Sequence, residues 1–212
     1  MRSAKAIWIF IALIFIVPVI AYALMNWYEN KYEKLPVYNS TSNNNGNLLT
    51  QLASFNFVNQ DSRKLNSNDW NNKILVVDFF FTHCPTICPK MTKSLKQVSD
   101  NFKNDTLIQL ASFTVDPESD SSTQLKKYAA RFDIDAKHWN FITGAKKDIY
   151  KLARNGFAMV ATDGDGGPDD FIHSDKIVLT DTQKNIRGYY DGTNADEIKK
   201  LITDIKKLEN EN

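Results

Sequence analysis

The chain has 212 residues, 42% hydrophobic and 24% charged, enough for one globular domain with a proper core. Its 26 basic and 25 acidic residues leave a formal net charge of +1. That balance argues against nucleic acid as a partner, because no excess of Lys or Arg is available to neutralise phosphates.

Residues 1–5 are basic, and residues 6–25 are uncharged and rich in Ile, Val, Phe and Leu. About 20 apolar residues are enough to cross a bilayer as a helix. Trp8, Trp27 and Tyr28 stand near the two ends, where interfacial aromatics belong. Arg2 and Lys5 hold the N-terminus in the cytoplasm, so the rest of the chain is expected in the periplasm or otherwise outside the cytoplasm. Residues 1–28 therefore read as a cytoplasmic tip and a transmembrane anchor. A cleaved signal peptide is the competing reading, since Ala21-Tyr22-Ala23 matches an A-x-A site. Neither reading leaves a lipoprotein option, because no Cys lies near the end of the apolar run. Residues 29–47, charged at first and then rich in Asn and Ser, read as a flexible tether. The folded domain is expected over residues 48–212.

Inside that domain strands and helices alternate. Residues 54–58 predict one arm of a hairpin, with residues 64–66 as the other. Residues 73–81 predict a buried strand, β-branched and aromatic, apolar on both faces except for Asp78. A helix follows over residues 89–102, with Pro89 in its first turn. The next elements are a strand over 106–115, a helix over 121–132, a strand over 139–143 and a short helix over 146–153. Residues 157–162 predict another strand and 163–170 an Asp- and Gly-rich loop. A hairpin of 176–180 with 186–190 and a helix over 194–208 complete the chain. This order predicts an α/β sandwich with a mixed sheet.

The only two cysteines, Cys84 and Cys88, fall where a central strand ends and a helix starts, the end at which open α/β sheets gather their sites. If both lie on the helix, an i, i+4 pair has Cβ atoms about 5–6 Å apart. That is long for a disulfide and comfortable for two thiolates on one ion. A disulfide remains open if Cys84 lies in the loop before the first turn. A purely structural bridge would close a very short loop and gain little. Two soft ligands do not close a zinc site, whereas Cu(I) accepts fewer ligands and is selected by thiolates. A third ligand would be a histidine, and the chain has three. His138 stands among charged residues and reads as surface. His83 adjoins Cys84, and chain direction makes it hard for both to face one ion. His173 follows the Gly/Asp loop and precedes a buried strand, which makes it the candidate. The Asp-rich loop lacks the Glu that closes an EF-hand.

The stretch Val77-Asp78-Phe79-Phe80-Phe81-Thr82-His83-Cys84-Pro85-Thr86-Ile87-Cys88-Pro89 closely resembles the Sco/SenC family. Thr114-Val115-Asp116-Pro117-Glu118-Ser119-Asp120 and Asp170-Phe171-Ile172-His173-Ser174 match further family segments in order and spacing. The resemblance implies a thioredoxin-like fold, a membrane anchor and copper, Cu(I) or Cu(II), bound by Cys84, Cys88 and His173. It implies a metallochaperone that assists assembly of the CuA site of cytochrome c oxidase, with the CuA subunit or another exported copper or thiol protein as partner. By the same resemblance Asp116 is a second-shell or partner-facing carboxylate, and Asp78 a group that takes a proton from a cysteine. Thr86 departs from the family, which often has an acidic residue there. The alternative is a thiol–disulfide oxidoreductase cycling Cys84 and Cys88. A peroxiredoxin reading fails, because Thr82 lies two residues before Cys84 and not three.

Overall fold

The computed structural model describes residues 2–32, 34–38, 56–65, 67–159 and 174–211. The chain forms two compact units, residues 1–34 and residues 35–212. The first is a single helix, α1 (Arg2–Tyr32). Its window Trp8–Met25 has a mean hydropathy of 2.6 and is long and apolar enough to cross a membrane, a property shared by anchors and export signals.

The second unit is built on a seven-stranded mixed sheet. Its strands are β1 (Phe57–Asn59), β2 (Lys64–Leu65), β3 (Ile74–Phe80), β4 (Ile108–Thr114), β5 (Trp139–Thr143), β6 (Lys176–Thr180) and β7 (Ile186–Asp191). They lie in the order β2-β1-β5-β4-β3-β6-β7. The central β3, β4 and β5 are parallel, while β6 returns antiparallel to β3 and β1 antiparallel to β5. The parallel strands are joined by α2 (Ile87–Asn101) and α3 (Ser122–Arg131), and α5 (Ala195–Glu211) follows β7. A short α4 (Lys146–Lys151) follows β5.

Side chains alternate across β3 and so divide the core in two. Ile74, Val76 and Phe80 pack with the apolar faces of α2, α3 and α5, where Met91, Leu95, Leu125, Leu201 and Ile205 are buried. Leu75, Val77 and Phe79 face the opposite layer with Trp70, Ile149, Leu152 and Phe157. This alternation places Asp78 on the α2 side.

The expected strand over 157–162 is not formed at its start. After α4 the backbone continues as a π-turn, Leu152–Gly156, and Phe157 N–H bonds Leu152 O at 3.0 Å. Ala158 takes a positive φ of 50°, and Met159 N–H bonds Ala153 O at 2.9 Å. These donors are taken locally and are not available to a sheet. Residues 160–162 and the loop 163–170 lie outside the described residues.

The region read as a tether, 29–47, has local structure where it is described. The helix α1 continues to Tyr32. Tyr38 N–H bonds Ile186 O at 2.7 Å on β7. The guanidinium of Arg187 donates to Leu35 O at 2.7 Å and Pro36 O at 3.2 Å. It also donates to Glu211 Oε2 at 2.7 Å and Asp181 Oδ2 at 3.3 Å. Residues 35–38 thus lie as a strap along the β7 side of the domain.

Candidate metal centre

β3 delivers the chain to the site. Its last residue, Phe80, is followed by a turn over Thr82 and His83, and Cys84 N–H closes on Phe81 O at 3.3 Å. The helix α2 begins at Ile87, two residues earlier than its apolar spacing predicts, with Pro89 as its third residue. Pro89 lacks an N–H at a position where none is needed within the helix. Cys84 therefore lies in the loop, three residues before the helix, and Cys88 in the first turn. The picture of two sulfurs stacked on one helical face does not hold, but the pair is brought together. Cys88 N–H donates to Cys84 Sγ at 3.3 Å, and both thiols are free.

The N-cap residue, Thr86, makes no side-chain capping bond. The sulfur of Cys84 takes an orphan donor instead. Burial raises the Cys84 pKa, but the N–H groups of Cys88, Thr86 and Ile87, with the Cys88 thiol, outweigh it and bring the thiol below its ordinary value. Cys88 is deeper. Burial, then the neighbouring Cys84 and Asp78 charges, push it up to about 12. The rim sulfur is thus the more acidic of the two, and the buried one is held as thiol.

This asymmetry carries a direct expectation. Iodoacetamide at about pH 8 is expected to modify Cys84 first in the wild-type chain and Cys88 much more slowly, because burial and the neighbouring Cys84 push the Cys88 thiol up to about 12. Mass spectrometry of timed digests reads the order. Equal rates at the two positions would contradict the geometry.

Asp78 lies buried on the sheet face that carries α2. The hydroxyl of Ser112 donates to it, and Trp139 Nε1–H donates to Ser112 Oγ at 2.8 Å. Burial, only partly offset by the Ser112 bond, raises its pKa to about 7. Asp116 is half-buried at the end of β4, and its N–H bonds Thr114 Oγ1 at 3.0 Å. His173 and residues 170–172 lie outside the described residues. The residues that follow, Ser174 and Asp175, line a cavity of about 460 Å³ together with Cys84, Pro85, Ile87 and Val115. His138, read as surface, is half-buried before β5.

One residue at the site was assigned no role by the sequence. Asp120, fully buried, accepts from Thr82 N–H at 3.0 Å, Thr82 Oγ1–H at 2.5 Å and Thr114 Oγ1–H at 2.5 Å. Only the fold brings it 38 residues back to the loop before Cys84.

A cysteine pair at the junction of a central parallel strand and the following helix, in a mixed sheet layered between helices, defines a thioredoxin-like protein. The SCO1/SenC family model matches residues 45–210, and the chain belongs to that family. The SCO1 protein homolog of Bacillus subtilis is 30% identical over 158 residues, covering 74% of this chain and 81% of the relative. Among solved structures, a SCO1/SenC family lipoprotein from Bacillus anthracis shares 32% identity, with a TM-score of 0.64 over 73% of this chain and 92% of the other. BsSco, a member of the Sco family of cytochrome c oxidase assembly proteins in which a disulfide switch was identified, shares 30%, with a TM-score of 0.63 over 74% and 91%. The copper-bound ScoI of Arabidopsis thaliana, at 22% identity and a TM-score of 0.59 over 74% and 97%, shares the fold.

Proposed function

We propose that this protein is a membrane-anchored copper metallochaperone. In this reading it holds copper with Cys84, Cys88 and His173 and delivers it for assembly of the CuA site of cytochrome c oxidase. The observation that carries the reading is the pairing of two free thiols, Cys88 buried and Cys84 lining an open cavity, with Cys84 favoured as thiolate by helix-terminal N–H groups. Support for His173 comes from its chain neighbours Ser174 and Asp175, which line that cavity with Cys84. Two soft sulfurs and one imidazole suit Cu(I) as a trigonal site and also hold Cu(II). A site with so few ligands leaves room for an incoming thiolate, which release to a partner requires. BsSco belongs to a family of cytochrome c oxidase assembly proteins, and ScoI has been solved with copper bound. Arg2 and Lys5 before the apolar helix support a domain outside the cytoplasm, with α1 as its anchor in this reading.

The test uses the full chain in detergent, reduced and loaded with Cu(I). The expected result is one copper per wild-type chain and much weaker binding by His173→Ala. Equal binding by the two chains would remove the three-ligand site.

A second reading, thiol–disulfide exchange, is favoured by one observation: the unequal acidity of the two thiols. Cys84 as thiolate would attack a partner disulfide and release one partner thiolate. Cys88, losing its proton, would then displace the second and leave a Cys84–Cys88 disulfide here and a dithiol in the partner. Copper loading needs the reduced pair, so the two readings share one starting state.

A further inference from the structure

The loop that carries Cys84 is held from outside the metal centre. Thr82 stands two residues before Cys84 and is buried, and both its N–H and its hydroxyl end on Asp120. The same carboxylate takes the hydroxyl of Thr114 at the end of β4. Thr114 Oγ1 in turn accepts Asp116 N–H, so its own proton is free for Asp120. Three donors thus converge on one fully buried carboxylate, which ties the start of the cysteine loop to the neighbouring strand.

The donor count also fixes the ring of His83. Its Nδ1 lies 3.2 Å from Thr82 Oγ1. Thr82 has one hydroxyl proton, and its two claimants differ in strength. The hydroxyl donates to Asp120 Oδ1 at 2.5 Å, whereas the imidazole contact is longer. The proton therefore goes to Asp120. Gln124 Nε2 approaches Thr82 Oγ1 at 3.5 Å from its acceptor side, in agreement. What remains on Thr82 Oγ1 is a lone pair, so His83 Nδ1 carries the hydrogen and donates it. Its Nε2 is left with a bare lone pair, on a side chain that is largely exposed at the rim.

We infer that Asp120 is the positioning residue of this centre: through Thr82 it holds the loop of Cys84 and sets the tautomer of His83. The part concerning Cys84 rests on the copper reading above; the part concerning His83 does not.

The experiment labels the histidine rings of the full chain with ¹⁵N in detergent, copper-free and reduced, at about pH 9, where ordinary imidazoles are neutral. The chain has three histidines, and a His83→Phe chain assigns the signal. Wild type is expected to show His83 as the Nδ1–H form. In Asp120→Asn the new amide oxygen still accepts from Thr82 N–H and Thr114, while the amide N–H donates to Thr82 Oγ1. The Thr82 proton then turns to His83 Nδ1, and the ring switches to the Nε2–H form. The same chains are titrated with Cu(I) against a competing chelator, where Asp120→Asn is expected to lose about 10-fold in affinity, the order seen when supporting groups of a metal site are removed. Asp204→Asn, which alters a buried carboxylate on α5 that accepts from Tyr190 on β7, is the control and leaves both readouts unchanged. An identical His83 tautomer in wild type and Asp120→Asn overturns the inference, as does wild-type copper affinity in Asp120→Asn. If the wild-type chain takes up no copper, the copper reading fails, and the tautomer switch still decides the role of Asp120.

Discussion

Replacing Cys84 by serine is expected to lower affinity for Cu(I) by more than about 100-fold while the domain stays folded. Loss of a group that merely supports a ligand costs about 10–100-fold, and loss of a ligand lies above that range. Cys84 is the half-exposed member of the pair and sits in the loop before α2, so a hydroxyl in place of the sulfur removes little packing. Serine still accepts Cys88 N–H, which keeps the helix start satisfied. What is lost is the polarizable thiolate that Cu(I) selects. Competition against a chelator at fixed free copper measures the change, with far-ultraviolet circular dichroism as the check on folding. Undiminished binding by Cys84→Ser would leave the centre without its rim ligand and end the copper reading.

Asp78→Asn is expected to stabilise the domain. The carboxyl is buried and its pKa stands at about 7, against an ordinary value of 3.8. Between about pH 4 and pH 7 the unfolded chain has released this proton while the folded chain keeps it. Stability therefore falls as pH rises through that window and levels off above it. The gap corresponds to roughly 4 kcal/mol in the alkaline limit. Asparagine keeps an oxygen for the Ser112 hydroxyl and carries no charge to bury. Thermal unfolding at about pH 8 should give a midpoint well above wild type, and at about pH 4 the two should converge. A lower midpoint for Asp78→Asn at pH 8 would show that the folded carboxylate is stabilised by something other than its present partners. The charge of Asp78 also helps to raise the pKa of the buried Cys88 thiol.

The layout of the domain was legible because its strands are written in apolar runs. Ile74–Phe80, Trp139–Thr143 and Lys176–Thr180 fall within one residue of their predicted bounds. The start of α2 was missed by two residues because its first turn, Ile87-Cys88-Pro89, has no side-chain cap to announce it. The segment after α4 was misread because Phe157, Ala158 and Met159 look like a strand, whereas local bonding of their backbone decides otherwise. At the candidate metal centre, Cys84 and Cys88 were visible from their isolation in the sequence, and their unequal acidity was not. That inequality depends on which N–H groups face each sulfur and how deeply each lies. Asp120 was overlooked beside Asp116, since a carboxylate whose donors come from residues 82 and 114 is recognisable only after the strands have paired.

The strap of residues 35–38 has a consequence for solubility. β7 is an outer strand of the sheet, and such a strand offers unpaired N–H and C=O groups to any passing chain. Tyr38 occupies one of those groups, Ile186 O, and Arg187 anchors the backbone of Leu35 and Pro36 alongside. Residues 35–38 thus cover one end of the sheet margin, which a second copy adding a strand there would have to displace. A soluble fragment begun at Leu48 would lack them. Such a fragment would expose the margin of β7 and leave Arg187 without two of its carbonyl acceptors, which makes self-association, rather than loss of the copper site, its first failing.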